Sequence, residues 1–159
     1  MIVSDKRVKV GQKPPDFILE NTQGEEISLA DYQGEKNVYL VLNRGFFWPH
    51  CRAHMAQLRQ DYKKFLQRDT EVIAIGPDTK KAFIEYWEKN DMPFVGLADP
   101  DHGVAQQYDQ EVNLLKFGRI PAQLIIDKSG TVRYVHYSNS MSDIPDNEEI
   151  LERLDAINA

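Results

Sequence analysis

Hydrophobic and polar positions alternate near the start of the chain. Phe17 and Leu19, then Ile27 and Leu29, flank the turn-forming run Asn21-Thr22-Gln23-Gly24. This spacing predicts a β-hairpin. Pro14-Pro15-Asp16 excludes helix before it, because proline restricts both its own φ and the residue preceding it. Val38 to Leu42 is then a continuous apolar run, as expected of a strand buried on both faces of a parallel sheet. After the loop Asn43 to His50 the period changes. Met55, Leu58, Tyr62 and Phe65 recur at helical spacing, with Arg59, Gln60, Lys63 and Lys64 on other faces. Glu71 to Ile75 reads as the next strand, completing a strand–helix–strand unit with a right-handed crossover.

Gly76-Pro77 breaks the chain, and Asp78 is the expected cap of a second helix carrying Phe83 and Trp87. A short strand around Phe94 to Leu97 leads to Asp99-Pro100-Asp101 and a brief helix ending near Tyr108. Gln123 to Ile126 and Thr131 to Tyr137, joined by Asp127-Lys128-Ser129-Gly130, predict a second antiparallel hairpin. The last helix is expected to start at an Asn147 cap and to bury Ile150, Leu151, Leu154 and Ile157. Parallel and antiparallel strands must then share one sheet with helices on both faces, a three-layer α/β arrangement. No repeat or linker interrupts it, so residues 1–159 are expected to form one domain.

Composition narrows the function classes. Hydrophobic residues are 42% and charged residues 28% of the chain, as in an ordinary folded domain. Nineteen basic against 25 acidic residues give a net charge of −6. No basic cluster is present, so a nucleic-acid partner is not expected. Apolar runs are too short to cross a bilayer, and Met1 to Lys9 lacks the apolar core of a signal peptide. A cytoplasmic location without membrane association is the expectation.

The chain has a single cysteine, Cys51. It cannot form an intramolecular disulfide or a Cys-rich zinc site. One reading is a small buried hydrophobe. The other follows from its place: Cys51 lies four residues before Met55, in the opening turn of the long helix after Pro49. Unpaired backbone N–H groups and the helix dipole favour a thiolate there. His50 and Arg52 flank it and Arg44 begins the loop, so a depressed thiol pKa and a nucleophilic role are expected. The open end of a parallel sheet is also where such folds place their sites.

Val10-Gly11, Pro15-Asp16-Phe17, Gly24, Ile27, Leu29, Asp31-Tyr32 and Gly34 read in order like the start of a known family. Pro93-Phe94 with Leu97-Ala98-Asp99, the Tyr108 region, and Ile120-Pro121-Ala122 leading to Ile126-Asp127-Lys128-Ser129-Gly130 continue the likeness. Over about Val8 to Tyr137 the chain resembles the peroxiredoxins, the alkyl hydroperoxide reductase and thiol-specific antioxidant branch of the thioredoxin-like fold. The family loop P-x-x-x-T-x-x-C, laid on Cys51, puts Arg44 at the proline and Trp48 at the threonine, two departures at the positions that shield the pocket and orient peroxide. The family arginine coincides with Pro121, leaving Arg119 and Arg44 as candidate substitutes. Pro121 also falls where the thioredoxin-like fold has a cis-proline facing the cysteine, so a cis bond is expected there. Around Trp48-Pro49-His50-Cys51-Arg52 the chain is also similar to the thioredoxin W-C-P-x-C-R loop with its first cysteine replaced by Trp48. That replacement removes the attacking thiol of a dithiol cycle.

The resemblance implies a one-cysteine, thiol-dependent peroxidase without a cofactor. Cys51, Arg44 and Arg119 are its expected catalytic groups, and Trp48, Pro49, His50, His54 and Pro121 its expected pocket. The implied partners are a peroxide and an external thiol or redoxin reductant. A non-catalytic redoxin-fold interaction protein is the competing reading, and a disulfide oxidoreductase a third. His50, Cys51 and His54 form an H-C-x-x-H cluster, but three ligands without a fourth make a poor metal site, and His54 is expected to pack or hydrogen-bond beside the cysteine. Asp99-Pro100-Asp101-His102-Gly103 lacks the terminal Glu of a calcium loop and reads as a capped turn. The run Phe46-Phe47-Trp48 has three fates open to it: lining a pocket, covering the cysteine, or contacting a second copy in a homodimer.

Overall fold

The computed structural model describes residues 7–110, 112–113, 118–140 and 142–159, so most of the N-terminal stretch read above, Met1 to Lys6, lies outside the described residues. The N-terminal hairpin forms from β1 (Ile18–Glu20) and β2 (Glu26–Ser28), paired antiparallel as the alternation predicts. A single 3₁₀ turn, Leu29–Tyr32, follows with a capping box between Ser28 and Asp31.

The main sheet has five strands in the order β5-β4-β3-β8-β9. Here β3 is Asn37–Leu42, β4 Thr70–Gly76, β5 Val95–Ala98, β8 Ala122–Ile126 and β9 Val132–Tyr137. Strands β3, β4 and β5 run parallel, while β8 is antiparallel to β3 and to β9. Every residue of β3 is buried, because this central strand is covered on both faces. The minor pair β6 (Val112–Asn113) and β7 (Gly118–Arg119) stands apart from the sheet.

Alternation along β3 divides the core. Tyr39 and Val41 face a cluster completed by Met55, Leu58 and Phe65 of α1 (Pro49–Leu66), Phe83 and Trp87 of α2 (Lys80–Lys89), and Ile150, Leu151 and Leu154 of α4 (Asn147–Asn158). Val38, Leu40 and Leu42 face the other cluster, closed by Val8, Phe17, Leu29, and Val104 of α3 (Gly103–Gln107). Burying a row of such side chains on each face contributes about 1.5–3 kcal/mol apiece, and so fixes the register of the strands. This is the mixed three-layer, thioredoxin-like α/β fold expected from the sequence.

Two helix starts differ from expectation. Thr79, not Asp78, caps α2, its side chain accepting from the Ala82 N–H at 3.1 Å. Asp146, not Asn147, caps α4, accepting from the Glu149 N–H at 2.9 Å. In both places two capping residues are adjacent in sequence. The one with tertiary work elsewhere yields the cap: Asn147 Nδ2 donates to Asp61 at 2.9 Å, and Asp78 turns toward the loop before α1.

Candidate active site

Strand β3 ends at Leu42, and the chain crosses to α1 through Asn43–Trp48. Gly45 has φ of +131°, a conformation that side-chain-bearing residues rarely adopt. It allows the loop to double back, with the Trp48 N–H donating to the Gly45 carbonyl at 3.3 Å. Pro49 opens the helix, where its missing N–H costs nothing. Gly76, at the end of β4, supports the loop from below. A Cβ there would lie 2.3 Å from Asn43 Oδ1, so a larger residue would displace the Asn43 side chain.

Cys51 occupies the third position of α1, as expected, and its side chain is 1% exposed. The donors at its sulfur come from the preceding loop. The Arg44 backbone N–H points to Sγ at 3.3 Å, and that of Gly45 also bonds it. These two bonds and the Arg44 guanidinium favour the thiolate, while the Asp78 carboxylate opposes it. Burial outweighs them all, and the thiol pKa is pushed above its ordinary value. The expectation of a depressed pKa is therefore corrected. It rested on the helix terminus and on flanking cations, but His50 and Arg52 are solvent-exposed, where water screens their charge.

Arg44 is 3% exposed, and its Cζ sits 3.4 Å from the centre of the Trp48 ring. Trp48 is half-buried, makes no capping hydrogen bond for α1, and touches Phe47 edge-on at 5.2 Å between centroids. The aromatic run thus divides three ways. Phe46 enters the core, stacked on Tyr86 at 4.0 Å and edge-on to Phe83 at 4.7 Å. Phe47 is 79% exposed. Trp48 lies against Arg44.

Arg119 is buried but turned to other partners. Its guanidinium pairs with Asp99 Oδ2 at 3.3 Å, donates to the Asp99 carbonyl at 2.6 Å, and meets His102 Nδ1 at 2.6 and 3.0 Å. The charges acting on Cys51 are those of Arg44 and Asp78, so the structure brings Arg44, and not Arg119, to the cysteine. Pro121 is buried, and the Ile120–Pro121 bond is trans, against the cis bond expected. The Pro121 carbonyl accepts from the Ser138 N–H at 3.0 Å, which ties the segment to the end of β9, and the bond keeps the ordinary preference of X–Pro for trans.

His54 is buried on α1 against Tyr39 of β3. It is 7% exposed, with its ring edge-on to Tyr39 at 6.5 Å. Burial lowers its pKa to about 4, so it is neutral at physiological pH. Among the described residues no group of three His, Cys, Asp or Glu side chains gathers to hold a metal, and the H-C-x-x-H spacing does not converge because His50 points to solvent.

Asp78 is the site residue that sequence reasoning assigned elsewhere. Its Oδ2 accepts from the Phe46 N–H at 3.1 Å and lies 3.5 Å from where a Cβ on Gly45 would be. Its charge reaches both Cys51 and Arg119. Its place just after β4, at the same end of the sheet as Cys51, was the available signal.

With this geometry in hand, comparison with known proteins is informative. A family model described as AhpC/TSA family matches residues 10–135. Peroxiredoxin Bcp of Bacillus subtilis is 29% identical over 133 residues, covering 77% of this chain and 81% of that protein. Chloroplastic peroxiredoxin Q of Sedum lineare is 28% identical over 153 residues, covering 95% and 80%. Among solved structures, peroxidoxin BcpB from Mycobacterium tuberculosis is similar with a TM-score of 0.85 at 22% identity, covering 96% of this chain and all of that one. The reduced 2-Cys peroxiredoxin of Plasmodium vivax is similar at 0.83 and 22%, covering 93% and 81%. The structural likenesses establish the fold; the family match, running from the first hairpin to β9, establishes descent. This chain belongs to the AhpC/TSA family, the peroxiredoxins.

Proposed function

We propose that the protein is a one-cysteine, thiol-dependent peroxidase acting on hydrogen peroxide or an organic hydroperoxide through Cys51. The observation that carries this reading is the sole cysteine at the head of α1, with the backbone N–H groups of Arg44 and Gly45 bonded to its sulfur and the Arg44 charge favouring its thiolate. The Cys51 thiolate attacks one oxygen of ROOH, an S–O bond forms and the O–O bond breaks. The displaced RO⁻ takes a proton and leaves as alcohol or water. Cys51 is then a sulfenic acid. One external thiol condenses with it to a mixed disulfide and water, and a second thiol releases the reduced enzyme. The Arg44 cation stabilises first the thiolate and then the negative charge growing on the departing oxygen. The reductant is a small thiol or a redoxin protein, in keeping with a relative from Plasmodium yoelii described as thioredoxin peroxidase I. A cytoplasmic, reducing setting suits a cycle that draws on outside thiols.

A second reading is favoured by one observation, the burial of the sulfur and its raised pKa: a redoxin-fold protein that binds without catalysing. The two are separated by dimedone trapping after substoichiometric peroxide. The peroxidase acquires a single adduct on Cys51 that C51S lacks, with oxidation far faster than that of free cysteine. Oxidation no faster than free cysteine overturns it. Of the loop before Cys51, Phe47, Pro49 and His50 are exposed.

A further inference from the structure

Arg44 and Trp48 are the two positions at which this chain departs from the loop pattern of its family, and they meet in space. The guanidinium carbon is 3.4 Å from the indole centre. A guanidinium lying so close over an indole face is held by cation–π attraction and planar stacking, and the interaction strengthens when water is excluded. Arg44 is buried and Trp48 half-buried, so that condition is met.

We propose that the two residues work as one unit, with Trp48 the positioning residue that holds the Arg44 guanidinium inside the loop whose backbone bonds the Cys51 sulfur. The inference deepens the peroxidase reading and rests on it for the chemical step. Several features of the loop agree. The Arg44 backbone is fixed by its own N–H bond to Sγ, but the side chain beyond it is long and has many rotamers to lose. A flat partner restricts it. Trp48 stands at the helix N-cap yet caps nothing, although Ser, Thr, Asp or Asn would stabilise α1 there. The position is given to a ring that serves another contact. Gly45 supplies the positive φ that turns the loop, and Phe46, anchored in the aromatic core and on Asp78, fixes the segment between the two residues.

The consequence is chemical. Of the charges that act on the Cys51 thiol, Arg44 favours the thiolate and Asp78 disfavours it. A guanidinium free to swing toward solvent would leave only the two backbone N–H bonds to oppose the carboxylate, and would lower the thiolate population. It would also be absent when charge develops on the leaving oxygen.

The test uses the pH dependence of Cys51 alkylation by iodoacetamide, which reads the thiolate directly without any peroxide. W48L removes the π face and keeps apolar bulk; its alkylation at pH 7.5 is expected to slow about fivefold, with the profile displaced to higher pH. W48F restores a π face and is expected to recover most of the rate. R44A is expected to behave as W48L does, and the double variant R44A/W48L to be no slower than R44A. A W48L profile superimposed on that of the original protein, or a double variant showing the sum of both losses, overturns the coupling. Should W48L fail to fold, R44Q keeps Trp48 as its own reporter: loss of the stacked cation is expected to alter its fluorescence, and unchanged emission overturns the proposal. In the peroxidase assay W48L is expected to lower kcat more than it raises KM. If the original protein forms no Cys51 sulfenate, the peroxidase reading falls while the alkylation comparison still decides the coupling.

Discussion

His54 illustrates what burial does to a single titratable group three residues from the reactive sulfur. Its pKa, about 4 in the fold, stands below the ordinary 6.5 because the imidazolium cannot keep its hydration. The unfolded chain takes up a proton near pH 6.5 that the folded chain refuses until about pH 4. This contribution to stability is therefore fully present above the ordinary value and is lost as pH falls toward 4, at most about 3 kcal/mol in all. H54F should remove this component. Its unfolding free energy in urea is expected to fall less between pH 7 and pH 4.5 than that of the original protein, and equal losses would refute the assignment. That His54 would share the helix with the cysteine was legible from its i+3 spacing. That it would be neutral was not, because the depth of burial depends on Tyr39 from β3, a residue twelve or more positions away in sequence.

At the scale of elements, the junctions decide the chemistry. Asp78 and Thr79 stand side by side at the head of α2, and either could cap it on sequence grounds. The structure divides the work: Thr79 caps the helix, and Asp78 reaches across to the Phe46 N–H. The two variants should separate accordingly. T79A is expected to cost about 1 kcal/mol of stability and to leave Cys51 alkylation unchanged. D78N retains an acceptor for Phe46 and removes a negative charge from beside the thiol, so alkylation at pH 7.5 should accelerate roughly two- to fivefold. Thermal unfolding and the alkylation profile together check both. A T79A protein with an altered thiol, or a D78N protein without one, would contradict this division. The long apolar helix α1, the buried strand β3 and both hairpins were legible from periodicity, since each period reflects a face turned to the core. The exchange of caps was not, because two adjacent residues of the same capping class give the same local signal.

For the whole molecule, one cysteine in 159 residues shapes the catalytic cycle. No second cysteine in this chain is there to resolve a sulfenic acid, so the proposed cycle calls for an outside reductant. Treatment with one equivalent of peroxide and then glutathione is expected to add a single glutathione to Cys51, removable by further thiol. Intact mass would show it, and a protein that gains only irreversible oxygen adducts would contradict the cycle. No helix among the described residues is long and apolar enough to cross a membrane. The sequence by itself determined the layer architecture, the place of Cys51 at a strand-to-helix junction, and the want of a second cysteine to pair with it. These follow from local periodicity, from a count of cysteines, and from a loop read against a family pattern. Tertiary structure alone decided which arginine's charge acts on the cysteine, sending Arg119 to Asp99 and His102 and pressing Arg44 onto Trp48. It also decided that the thiol pKa rises, and that the Ile120–Pro121 bond stays trans. Each of these outcomes depends on how much water and which charges distant segments leave around a group. Such balances are struck only once the sheet and helices have closed over one another.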